Sequence, residues 1–294
     1  MTELISVIIP FYSNLDWLTD AVESVLCQTY KNYEIIVIND GSKEDISEFL
    51  SKYSDNIIYK KINHSGSGVA RNIGIEISRG QFIAFLDADD LWLPDKLEKQ
   101  LKYMKCQKLS WSHTSYKKFF DKNRNKTILV DVSKYAENIF PLLLTSCKIA
   151  TPCVMVDANL LKLNPRLRFG VDVPHGQDIL LWMKLALKEP IGAYSEPLTL
   201  VRIRGSNAAL RARVQIEARA NIYRSFHTEQ IAAKVPKDIL FVYRIIWEFN
   251  KWLGRFEKEV LRSQLPDSIA KVLYLPFWSF FKYKHLYYMA RRNG

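Results

Sequence analysis

Residues 82–90 read Phe82-Ile83-Ala84-Phe85-Leu86-Asp87-Ala88-Asp89-Asp90, five apolar residues running straight into three carboxylates within four positions. A short, uniformly apolar run predicts a strand buried on both faces, as in the centre of a parallel sheet. Carboxylates this close repel one another unless a cation or solvent separates them. A hard divalent ion with oxygen ligands, able to bridge diphosphate oxygens as well, accounts for the cluster. The plain alternative is a solvated acidic turn capping the helix that opens at Pro94. Position favours function, because open α/β sheets bind ligands beyond the carboxyl ends of their strands.

Towards the N-terminus the same unit recurs. Ile5–Ile9 is an apolar run stopped by Pro10, and Leu15, Leu18, Val22, Val25 and Leu26 then share one helical face behind Asn14, a candidate cap. Glu34–Asn39 predicts a second buried strand, closed by Asp40-Gly41-Ser42. Ile46–Tyr53 predicts a helix, Ile57–Ile62 a third strand, and Ser67–Ser78 a helix ended by Gly80. After the acidic cluster, Pro94 opens a helix carrying Leu97, Leu101 and Met104. Alternating units of this length predict an α/β fold, a mostly parallel sheet with helices on both faces.

Beyond that the pattern weakens. Residues 107–150 read as irregular, mixing a basic stretch (Lys117 to Lys126) with short apolar runs. Gly176–Leu187 predicts a helix beginning beside Asp178, with Trp182 packed in the core. After Val201 the chain turns helical and basic, with Val242, Ile245, Ile246, Phe249, Trp252 and Leu253 on one apolar stripe. No internal repeat or low-complexity segment interrupts it.

Length allows one large domain with an appendage, or two small domains, since the chain has 294 residues. Cys27, Cys106, Cys147 and Cys153 form no CxxC pair, and no His/Cys cluster has zinc spacing, so structural zinc is not expected. The five histidines are scattered. Met1 to Glu3 lead into an apolar strand without a charged signal-peptide region, so a reducing cytoplasm is the expected compartment.

Charge is uneven. Residues 1–200 hold 24 basic and 24 acidic side chains, whereas residues 201–294 hold 18 against 7, so the whole excess of +11 sits in the last third. That points to an anionic partner, either nucleic acid or membrane headgroups. No nucleic-acid-binding motif accompanies it, so no nucleic-acid partner is expected. Residues 272–281 carry no charge, span half of the roughly 20 residues a transmembrane helix needs, and contain Pro276. Lys282, Lys284, Arg291 and Arg292 follow, mixed with Tyr283, Tyr287 and Tyr288. This suits an interfacial segment on anionic lipid, or a helical subdomain packing its aromatics on the catalytic domain.

Two further motifs bear on chemistry. Asp40, at a strand end, can accept a hydrogen bond from a base imide or a ribose hydroxyl, although an Asp-Gly turn explains it too. Gly66-Ser67-Gly68-Val69-Ala70-Arg71-Asn72 has the look of a dinucleotide fingerprint, but Arg71 occupies the third glycine position, which argues against a nicotinamide site. An arginine in the first turn of a helix pairs instead with a diphosphate, aided by the helix N-terminus.

Together, Val7-Ile8-Ile9-Pro10-Phe11-Tyr12, Ser24-Val25-Leu26-Cys27-Gln28, Ile38-Asn39-Asp40-Gly41-Ser42, Ala70-Arg71-Asn72-Ile73-Gly74 and Asp87-Ala88-Asp89-Asp90 resemble the family 2 glycosyltransferases. Order and spacing agree across residues 4–105. A weaker likeness runs from Gly176-Gln177-Asp178 through Trp182 and Pro197-Leu198 to Val201-Arg202-Ile203-Arg204, and fades after about residue 215. The resemblance implies a GT-A catalytic domain over 1–215, its nucleotide-binding half 1–105 and acceptor half 106–215, followed by a helical, basic, aromatic region over 216–294. It implies an inverting transferase that uses a nucleoside-diphosphate sugar, UDP-linked here, with magnesium or manganese.

Residue by residue, the resemblance has Pro10 and Tyr12 flank the base, with the Tyr12 ring stacked on it, and Asp40 accept the uracil imide proton. Arg71 would approach the diphosphate, Asp87 the ribose or metal, and Asp89 would be the main protein ligand to the ion. Asp178 would be the general base, with Asp172 the next candidate. Members usually carry Glu-Asp where Gln177-Asp178 stands, and many show Tyr-Arg-x-His in place of Val201-Arg202-Ile203-Arg204. Arg204 then becomes a candidate diphosphate contact, the alternative being that Arg202 and Arg204 are ordinary strand-edge charges. By analogy the acceptor is a saccharide or lipid-linked saccharide in bacterial surface polysaccharide synthesis, with the protein peripheral at the inner face of the cell membrane. A sugar nucleotidyltransferase would be expected to carry a Gly-rich, Lys-containing loop near strand one, which Ile9–Asn14 lacks. A non-catalytic sugar-nucleotide-binding or membrane-surface protein would have no need of both Asp89 and Asp178.

Overall fold

Four of the apolar runs become adjacent parallel strands: β1 (Ile5–Phe11), β2 (Tyr33–Asp40), β3 (Ile57–Ile62) and β4 (Phe82–Phe85), in the order β3-β2-β1-β4. The structure is a computed structural model describing residues 3–292 except Lys122, Asp172, Pro174, 205–210 and 229–230. Helices α1 (Leu15–Leu26), α2 (Ser47–Tyr53) and α3 (Ser67–Ile77) join the strands. Asn14 caps α1 as expected, its side chain accepting from the Trp17 N–H at 3.1 Å.

Contrary to expectation, Pro10 does not stop β1, which continues to Phe11. The Ile8 carbonyl accepts from the Leu86 N–H, so Ile8 faces the β4 side. Pro10, two residues on, faces the same side beyond the last β1–β4 pair, Ile8 with Phe85, where its missing N–H is no loss.

Period-two alternation sorts the strand residues onto two helix layers. Val7, Ile9, Ile35 and Val37 pack with Leu18, Val22 and Val25 of α1 and with Leu97 and Leu101. Ile36 and Ile38 pack with Ala70, Ile73 and Ile77 of α3. Contact there is close: a Cβ on Gly74 would lie 2.4 Å from Ile8 Cγ2.

Beyond β4 the chain runs through β5 (Leu91–Trp92), α4 (Lys96–Gln107), β6 (Trp111–Phe120), β7 (Asn123–Val130), α5 (Phe140–Leu143), β8 (Met155–Asp157), α6 (Ala158–Lys162), α7 (Gln177–Ala186) and β9 (Gly192–Ile203). The sheet continues β4-β8-β6-β9-β5, with β7 on β6. This half is mixed: β8 runs antiparallel to β4 and β6, whereas β6 and β9 are parallel. The β6–β7 pair corrects the irregular reading of 107–150. Ser112, His113, Thr114 and Ser115 are completely buried in β6, so polar residues hid a central strand.

The chain clusters into two compact units. The first, Met1–Ile139, Lys148–Val171 and Lys184–Arg204, contains the sheet. The second, Phe140–Cys147, Asp172–Met183 and Gly205–Gly294, contains α8 (Ala212–Thr228), α9 (Lys237–Phe256) and α10 (Asp267–Arg292). Residues 106–215 are thus shared between the units. The second unit is built around Arg219 of α8, which donates to the Leu144 and Thr145 carbonyls and to the Tyr243 and Tyr274 hydroxyls. Its guanidinium lies 3.8 Å from the Phe281 ring centroid.

Candidate active site

The first unit gathers two groups of expected residues at the carboxyl ends of its parallel strands. In one, Asp40 ends β2 and is buried, its oxygens accepting from the Ser65 and Gly66 N–H groups at 2.7 and 2.9 Å. Gly41 has φ +75°, and a Cβ there would lie 2.7 Å from the His64 nitrogen, so the Asp-Gly turn and the loop before α3 are built against each other. His64 Nδ1 lies 3.0 Å from Asp40 Oδ2, and its ring lies 4.4 Å from the half-exposed Tyr12 ring, centroid to centroid. Tyr12, Asp40 and His64 therefore form one cluster, with Pro10 half-buried at the end of β1. His64 was not singled out in the sequence, where nothing linked it to Asp40, 24 residues away.

The second group is reached through α3. Arg71 is the fifth residue of that helix, one turn later than expected. It is buried, and its Nη2 contacts Asp87 Oδ1 at 2.5 Å. Phe169 lies beneath the guanidinium, 5.2 Å from it, held by reciprocal hydrogen bonds between its backbone and the Asn72 amide. Arg71 Nε is buried without a hydrogen-bond partner among the described residues.

Asp87, Asp89 and Asp90 follow β4 in a tight turn, the Asp90 N–H donating to the Asp87 carbonyl. Arg204 Nε lies 3.1 Å from Asp89 Oδ2, with the Arg204 guanidinium 5.4 Å from the Trp17 ring. Burial, then the charge of Asp87, raises the Asp89 carboxyl above its ordinary range. Asp90 is buried and raised well above it, by burial first and then by Asp89 and Asp87. Five carboxylates, Asp20, Asp87, Asp89, Asp90 and Asp121, share three arginines, Arg71, Arg202 and Arg204, so the cluster is short of positive charge.

Arg202 corrects the strand-edge reading. It is fully buried, and its backbone N–H donates to Asp90 Oδ1 at 2.8 Å. Its Nε donates to the Asp89 carbonyl at 2.8 Å, and its Nη1 and Nη2 pair with Asp121 at 2.5 Å and Asp20 at 3.4 Å. One side chain thus fastens the acidic turn to β9. The available signal was the spacing Arg202-x-Arg204, which aims both arginines from one side of a strand.

Among the described residues no three His, Cys, Asp or Glu side chains converge as a metal cage. All-oxygen carboxylates at a charge-deficient turn nevertheless suit magnesium or manganese, which commonly bind through one or two carboxylates plus substrate phosphates. Asp89, here paired with Arg204, could hold such an ion. Asp178 is half-buried in the first turn of α7 and belongs to the second unit, with Gly176 before it at φ +84°. Asp172 lies outside the described residues.

Comparison with known proteins gives a consistent picture. The profile of the family described as Glycosyl transferase family 2 matches residues 6–155. An "Uncharacterized glycosyltransferase" of Rickettsia bellii (strain RML369-C) is 41% identical over 205 residues, covering 69% of this chain and 29% of that protein. The chain therefore spans about a third of the length of its Rickettsia relatives of this kind. "UDP-Glc:alpha-D-GlcNAc-diphosphoundecaprenol beta-1,3-glucosyltransferase WfaP" of Escherichia coli is 34% identical over 191 residues, covering 63% of this chain and 71% of WfaP. Among solved structures, S. aureus TarS 1-349 in complex with UDP-GlcNAc superposes with a TM-score of 0.64 at 18% identity, over 94% of this chain and 79% of that one. The GT-A fold expected from the sequence is the fold observed.

Proposed function

The chain belongs to glycosyl transferase family 2, and from that premise we propose that it transfers a sugar from a UDP-sugar to an acceptor hydroxyl with inversion at the anomeric carbon. The observation that carries this is the pair of ion contacts Arg71–Asp87 and Arg204–Asp89 at the strand ends, with Arg71 Nε buried beside them and without a partner among the described residues. Such a site has cations and N–H donors for a diphosphate and carboxylates for an ion. UDP as the nucleotide is supported by WfaP, which is named for UDP-Glc. A saccharide on a lipid diphosphate is the acceptor class that WfaP's name supports, with polysaccharide assembly as the setting.

In this proposal Pro10 and Tyr12, with His64 beside Tyr12, hold the base, Asp40 accepts a hydrogen bond from its imide N–H, and Arg71 pairs with the diphosphate. Asp87 contacts the ribose or the ion. Magnesium or manganese, held by Asp89 and diphosphate oxygens, would neutralise charge on the leaving group. Arg204 gives up part of its contact with Asp89 to the departing phosphate. Asp178 takes the acceptor's hydroxyl proton as that oxygen bonds to the anomeric carbon and the bond to the phosphate oxygen breaks. One displacement, with no sugar bound covalently to the protein, inverts the centre.

Asp178→Asn tests the base, because an amide of the same size cannot take the proton. Turnover should fall at least about a hundredfold while UDP affinity changes little. Near-normal turnover would move the base elsewhere, with Asp172 next.

A further inference from the structure

Helices α9 and α10 each carry apolar side chains on two faces. On α10, Ala270, Tyr274 and Phe281 are buried, while Val272, Leu275 and Leu286 on the other side are 70%, 56% and 60% exposed. On α9, Ile239, Tyr243, Ile246 and Leu253 point inward, while Phe241, Ile245 and Trp252 are 63%, 40% and 50% exposed. Those three line a groove of about 460 Å³ together with Arg244, Glu248 and Phe249. The Phe249 and Phe277 rings, 6.1 Å apart, join the two helices. Large apolar side chains grouped like this mark a surface that something covers.

Charge identifies what covers it. From Ser268 to Asn293 there is no side-chain carboxylate; of the cations there, Lys271 and Lys284 pair with Asp267 and Asp238, and Lys282, Arg291 and Arg292 complete the set. Exposed Arg244, Lys251 and Arg255 flank the apolar face of α9. The Lys282 ammonium sits over the Trp278 ring, 4.7 Å from its centroid. Among the described residues no helix is long and apolar enough to cross a membrane.

We propose that the outer faces of α9 and α10 are a docking surface for an anionic lipid bilayer, lying on it rather than spanning it. The aliphatic and aromatic side chains enter the headgroup region, and the flanking cations meet lipid phosphates. This rests on the second unit alone and holds or fails independently of the sugar chemistry. A lipid-linked acceptor would give it a purpose.

The test is co-sedimentation of the full chain with vesicles of phosphatidylcholine, with and without phosphatidylglycerol. Binding to the anionic vesicles should be at least about tenfold stronger and should weaken as salt is raised. Trp252→Glu with Leu275→Glu changes only exposed side chains and should reduce that binding at least about tenfold, with an unchanged melting curve. Should that pair unfold, Lys282→Gln with Arg291→Gln removes charge alone and should also weaken binding. No binding to anionic vesicles at low salt, equal binding to both vesicles, or folded variants that bind as before would overturn the proposal. So would a full-chain dimer that Trp252→Glu with Leu275→Glu dissociates, since the face would then belong to a second copy.

Discussion

Arg202 reaches Asp90, Asp89, Asp121 and Asp20, which lie 112, 113, 81 and 182 residues away in the chain. Removing its guanidinium would strip Asp121 and Asp20 of their shared cation and release the Asp89 carbonyl. Arg202→Met should therefore lower the melting temperature and weaken UDP binding in manganese at least about tenfold, whereas Arg202→Lys should recover only part of either, lacking the planar fork. Calorimetric titration beside a thermal melt separates the two effects. Contacts at such separations leave no local trace, which is why the motif Val201–Arg204 showed Arg202 but not its partners, while Asp40, Arg71 and Asp89 could be read from short motifs. Lys96 makes a second residue-scale point. It is completely buried, its Nζ lies 3.8 Å from the Trp92 ring centroid without a hydrogen-bond partner among the described residues, and burial lowers its pKa to about 7. The unfolded chain, with an ordinary lysine near 10.5, binds the extra proton between those values, so stability should rise with pH across that window. Lys96→Met should flatten the rise and stabilise the protein at pH 7 by on the order of 1–3 kcal/mol, as denaturant midpoints at several pH values would report.

At the scale of elements, the strands buried by apolar residues alone were legible and those buried by polar ones were not. Val7 to Ile9, Ile35 to Ile38 and Ile83 to Phe85 declare themselves by composition. In contrast, the β6 residue His113 buries its polarity inside the core, its Nε2–H donating to the Tyr135 carbonyl at 2.7 Å. A sequence reader takes such a residue for surface. Helix α3 matters most for chemistry, because it carries Arg71 and begins immediately after the loop that Asp40 organises. Its seat on β1 depends on Gly74, with room for no Cβ against Ile8. Gly74→Ala improves helix propensity but must push α3 off the sheet, so it should destabilise by about 1–3 kcal/mol, overpacking outweighing propensity. UDP affinity should fall as well, since Arg71 moves with the helix. A melting temperature at or above that of the parent would show that the helix seat is softer than drawn.

For the whole molecule, the uneven charge read from the sequence corresponds to a separate helical unit, although the sequence did not reveal that 140–147 and 172–183 would cluster with it. Segment 140–147 is tied to the unit by Arg219, which donates to the Leu144 and Thr145 carbonyls from far along the chain. The same arginine gives the unit its dependence on α10. A chain ended at Gln264 would leave Arg219 buried without the Tyr274 hydroxyl or the Phe281 ring. It should melt earlier than the full chain or aggregate; a truncated chain with an unchanged melting curve would deny α10 that structural role. The central claim, inverting transfer from a UDP-sugar, concerns the full chain and is tested most directly by the anomeric configuration of its product. Proton NMR of the reaction with an α-linked UDP-sugar, manganese and a saccharide diphosphate lipid should show UDP released and a β-linked product. An α-linked product would contradict the account.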